Sequence, residues 1–102
     1  MRKAKAPSAQ GTLMVQLAEI HIHNKNEERA NQYFEEALIL SQNSKDREME
    51  GQTLWAWSQA LGEKGSLDEA IIRAQKALKI YEALKKPEAQ DIRGKIENWS
   101  KP

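Results

Sequence analysis

The sequence contains no cysteine, three prolines, five glycines and a single phenylalanine. Without thiols, disulfides and thiolate zinc sites are excluded. The scarcity of proline and glycine leaves long stretches free of helix breakers. No apolar run approaches the ~20 residues needed to span a bilayer. The opening Met1-Arg-Lys-Ala-Lys-Ala-Pro7 is basic but lacks the apolar core of a secretory signal. These absences read as a cytoplasmic protein, or a piece of one, with no membrane partner.

At 102 residues, 39% hydrophobic and 30% charged, the chain suits one soluble, mostly helical domain. Its formal net charge is +1, unevenly spread: residues 1–25 and 71–102 are net positive, and 26–70 net negative. Nucleic-acid binding is not expected, because the cations around Arg73, Lys76 and Lys79 lack the interleaved aromatics of a nucleic-acid footprint.

Sliding the sequence against itself by forty residues superposes Ala30 on Ala70, Ala37 on Ala77, Leu38 on Leu78 and Leu40 on Ile80. Met14 and Leu17 fall on Leu54 and Trp57. Each copy reads as two helices joined by a short polar turn. In the second copy Leu54, Trp57 and Leu61 form one stripe on a helix at about 46–62, which Gly65 ends. Ser66 and Glu69 have capping-box spacing. The helix that follows, to about Leu84, faces inward through Leu67, Ala70, Ile71, Ala74, Ala77, Leu78 and Tyr81. The first copy repeats this plan with helices at about 10–23 and 27–42. Pro87 suits the first turn of a fifth helix, whose one apolar side is Ile92, Ile96 and Trp99.

These residues resemble the tetratricopeptide repeat family. The matching positions are Leu54, Trp57, Ser58, Leu61, Gly65, Ala70, Ala74 and Ala77 in one copy, and Met14, Leu17, Ala18, His21, Ala30, Phe34 and Ala37 in the other. The forty-residue spacing is similar to a long-helix variant of that family. The expected fold class is therefore all-α: a right-handed αα superhelix of two helix-turn-helix repeats, at about 10–42 and 46–85, with a C-terminal capping helix at about 87–99. Residues 1–9 are expected to be a flexible basic tail. The resemblance implies a non-catalytic module that binds a protein or peptide in its concave groove, as a scaffold or regulatory part of a larger protein.

Candidate sites follow from the same likeness. It places Val15, Glu19, Ile22 and His23 of one helix, and Gln52, Trp55, Gln59 and Glu63 of another, along the concave groove. Val15, Glu19 and Ala56 stand where some members of the family carry groups that clamp a terminal carboxylate, so a peptide with apolar anchors and some basic character fits better. Residues two apart on a helix diverge by about 200°. Trp57 therefore belongs to the packing between paired helices, and Trp55 to the groove or to the space under an adjacent helix. The same divergence separates His21 from His23, so no metal is expected, and no cofactor. There is no nucleophile elbow, no phosphate-binding loop and no convergent carboxylate pair. An alternative is self-association through exposed repeat ends, to a homo-oligomer, with Ile92, Ile96 and Trp99 as contacts.

Overall fold

The computed structural model describes residues 7–101, with side chains from residue 10; the expected tail lies, up to residue 6, outside the described residues. Five helices follow in order: α1 (Pro7–His23), α2 (Glu27–Asn43), α3 (Arg47–Lys64), α4 (Leu67–Ala83) and α5 (Ala89–Ser100). Among the described residues there is no strand, and no helix is long and apolar enough to cross a membrane. The architecture is an all-α stack of helix pairs.

Each of the first four helices stops in the same way. Residues Lys25, Lys45, Gly65 and Lys85 have φ values of 62°, 58°, 96° and 59°. This left-handed step lets the next amide turn back into the helix it has just left: Asn26 N–H donates to the His21 carbonyl, Asp46 to Ser41, Ser66 to Leu61 and Lys86 to Tyr81. These are Schellman closures, and they recur every twenty residues, half the period that the apolar pattern shows.

The next helix then needs an acceptor for its free amides. The Asn26 side chain accepts from the Arg29 N–H at 3.3 Å, and the Asp46 carboxylate from the Met49 N–H at 3.0 Å. Ser66 makes no such bond, so the capping box read from Ser66 and Glu69 does not form. Its backbone ψ of 69° is close to the 77° of Asn26, and the Ser66 side chain caps no amide of α4. Lys86 supplies no acceptor at the corresponding position, and α5 opens through tighter bonds from Ala89 N–H to Lys86 and Gln90 N–H to Pro87. Pro87 thus precedes α5 in a turn.

Two core clusters result. In the first, Ala18, Ala30 and Phe34 of α1 and α2 meet Trp57, Ala60 and Leu61 of α3. Phe34 and Trp57 stack at 5.4 Å between ring centres. The Trp57 indole N–H donates to Asn31 Oδ1 at 3.2 Å, and the Arg73 guanidinium lies 4.1 Å from the ring centre. In the second cluster, Leu54 of α3 and Ala74, Ala77, Ile80 and Tyr81 of α4 meet Ile92 of α5. The alanines let paired helices approach closely. Leu67, expected to face inward, is instead exposed at the first turn of α4. Thr53 and Ser58, buried polar residues of α3, return their hydroxyl protons to the Met49 and Trp55 carbonyls, so neither is left unpaired.

Candidate functional site

The helices that should line a groove are α1 and α3. They lie side by side: a Cβ at Gly11 would fall 3.1 Å from Met49 Cγ, and Val15 and Ile22 rest on the first cluster. The facing side chains are small on α3, where Ala60 is buried. A cleft of about 350 Å³ opens there, lined by Ile22, Lys25, Glu27, Ala60, Glu63 and Lys64. Its floor is apolar, from Ile22 and Ala60. Its rim is charged, and Lys64 Nζ bridges to Glu27 Oε1 at 3.0 Å across the gap between α2 and α3. Both partners are partly exposed, so this pair shapes the rim more than it stabilises the fold. Among the described residues, Lys25 and Glu63 make no ion pair.

The eight residues expected to line the groove are distributed unequally. Ile22 and Glu63 meet in this cleft. Glu19 and His23 are exposed on α1, and Gln59 is half-buried on α3. Val15 is half-buried and packs inward against the first cluster. Gln52 stands near the other end of α3, in a crevice of about 90 Å³ with Glu48, Tyr81, Leu84, Lys86 and Glu88. Trp55 lies partly beneath α5, its ring centre 6.4 Å from that of Trp99 and the planes inclined by 48°. Of the two placements open to Trp55, the structure shows the one under an adjacent helix.

Lys25, Glu27, Ala60 and Lys64 complete the cleft and are not evident from sequence. Glu27 and Lys64 are 37 residues apart, and nothing in their local patterns signals the pairing.

His21 stacks on Tyr33, ring centres 5.5 Å apart, so its ring is engaged in packing. Among the described residues no three His, Cys, Asp or Glu side chains converge on a common point. In the crevice by Gln52, burial raises the Tyr81 pKa, with Glu88 and Glu48 adding to the effect. A 2.6 Å hydrogen bond to Glu48 raises that of Lys86. Both shifts favour the protonated form that each group has at neutral pH. The larger hollow where α4 meets α5, about 620 Å³, is bordered by Lys85, Lys86 and Arg93. Two of these cations are already matched, Lys86 to Glu48 and Arg93 to Glu82.

The side of α5 that the alternative reading assigned to self-association is turned inward: Ile92 is buried, and Ile96 and Trp99 pack on the second cluster. That side is occupied within the chain itself.

A family model described as a tetratricopeptide repeat matches residues 10–83. No curated protein and no solved structure matches the chain.

Proposed function

The chain belongs to the tetratricopeptide repeat family, whose members mediate protein–protein interaction, and on that footing we propose that it binds a peptide segment of a partner protein in the groove between α1 and α3. It carries out no catalysis and serves as a scaffold or regulatory part of a larger assembly. The observation that supports this reading is the cleft in which Ile22 of the first repeat meets Ala60 and Glu63 of the second. An apolar floor takes one aliphatic or aromatic side chain of the guest. Glu63, with Glu19 further along α1, favours a basic residue beside that anchor, while Lys25 orients the main chain through its carbonyls.

The reading is tested with a phage-displayed library of random peptides selected on the intact chain. Enriched peptides should share an apolar residue next to a lysine or arginine. Glu63→Lys, an exposed change, should weaken the best peptide at least about fivefold, near 1 kcal/mol, with the circular dichroism spectrum unchanged. Ile22→Ala should weaken it further, and Ile39→Glu, elsewhere on the surface, should have no effect. A library that yields no binder, or binders indifferent to both groove changes, refutes the proposal.

A further inference from the structure

The two ends of the stack are finished differently. At one end α5 turns Ala89, Ile92, Ile96 and Trp99 inward, and its remaining residues, among them Gln90, Arg93, Glu97 and Asn98, are exposed and non-hydrophobic. At the other end α1 leaves Leu13 and Ile20 at 56% and 54% exposure. They are seven residues apart, about two turns, and share one side of the helix with half-buried Leu17 between them.

The internal repeat identifies this side. A shift of forty carries Leu13, Leu17 and Ile20 onto Thr53, Trp57 and Ala60, whose exposures are 0%, 6% and 9%. The first repeat helps to cover the last two: Trp57 stacks on Phe34 and bonds to Asn31, and Ala60 shares a cluster with Ala18 and Ala30. The second repeat therefore displays, covered, the surface that the first leaves bare. The bare version also carries larger apolar side chains at both exposed positions, the reverse of what solvent contact would favour.

We propose that this face pairs with the same face of a second copy of the chain, about a two-fold axis. Two observations select that occupant. Head-to-tail stacking would need an apolar end on the second copy, and the outer side of α5 is polar. The charges bordering the bare face are, in addition, complementary to themselves. Tyr33 marks the α1 side of α2 through its stack on His21. Arg29 and Glu36 stand four residues before and three after it, on the same side of the helix. Both are exposed, and among the described residues neither makes an ion pair. A two-fold axis between them brings Arg29 of each copy to Glu36 of the other, the reciprocal contact that an isologous interface requires. One helix-pair face is small beside the interfaces of permanent dimers, so the association is weak and concentration-dependent. The groove between α1 and α3 lies on a different side of α1, and this pairing stands or falls independently of peptide binding there.

Sedimentation equilibrium of the intact chain, loaded from about 5 µM to about 1 mM, should show the mass rise from 11.6 kDa towards twice that value. The double variant Leu13→Glu with Ile20→Glu should stay monomeric throughout, with unaltered helicity and melting, because both residues are exposed. Arg29→Glu and Glu36→Arg should each raise the dissociation constant about tenfold, and the two together should restore it to within about threefold. A wild-type chain that remains monomeric at about 1 mM overturns the proposal. A dimer that survives the Leu13 and Ile20 changes, or a charge swap that does not restore pairing, overturns it as well.

Discussion

Trp99 reaches α3 only because position 62 carries no side chain. A Cβ placed on Gly62 would lie 2.7 Å from Trp99 Cε2, inside contact distance. Glycine within a helix otherwise costs stability relative to alanine, so the residue is tolerated for the ring that fills its place. Gly62→Ala should therefore destabilise the chain by about 1–3 kcal/mol through overpacking. Once Trp99→Ala has removed the ring, the same change should stabilise by about 0.5–1 kcal/mol, the ordinary helix-propensity gain. Urea unfolding of the four proteins checks this reversal of sign, and equal effects in both backgrounds would refute it. The separation of the two α3 tryptophans was legible in the sequence, because a two-residue spacing on a helix cannot put both on one face. Which of its two placements Trp55 takes was not legible. It depends on how α5 lies across α3, and that follows from the glycine notch at 62 and from Ile92 seating in the second cluster.

At the scale of the helical elements, the repeating unit is the twenty-residue helix with its closure, and its signal is the left-handed residue at 25, 45, 65 and 85. Only one of these is glycine; the other three are lysines, which adopt this conformation at a cost of about 1–2 kcal/mol relative to right-handed backbone. That is why the apolar spacing showed the forty-residue repeat while the twenty-residue one stayed hidden. At Gly65, φ is 96° and nothing lies within 4 Å of where a Cβ would go, so a substitution there is felt by the backbone alone. Gly65→Ala should cost about 1–2 kcal/mol, with the α4 packing intact and no change in near-ultraviolet dichroism. A neutral result would mean that the α3–α4 closure adopts another turn when glycine is absent. The caps at Asn26 and Asp46 were not read from the sequence; Ser66 had the right spacing and makes no cap bond.

Across the whole molecule, the helix-pair order and the alanine and aromatic part of both cores followed from where those residues recur, since each pair must bury a continuous apolar face against its neighbour. The groove was only partly legible: the repeat pattern names positions on helices, but the cleft exists where Ile22, Ala60 and Glu63 meet between repeats, and its rim needs the Glu27–Lys64 bridge. The two ends have opposite energetic roles. Leu13 and Ile20 contribute little to the fold of one chain, because they are exposed in it. Burial of Ile92, Ile96, Trp99 and Ala89 by α5 contributes roughly 4–8 kcal/mol, at about 1.5–3 kcal/mol for each large side chain. A domain of this size has a net stability of only about 5–15 kcal/mol. A chain shortened to end at Lys86 should therefore lose at least about 15 °C in melting temperature and bind a hydrophobic dye through the uncovered Trp55, Ile80 and Tyr81. If the shortened chain melted within about 5 °C of the full one, α5 would be an appendage, and stability would have to reside in the first cluster and the α3–α4 pair alone.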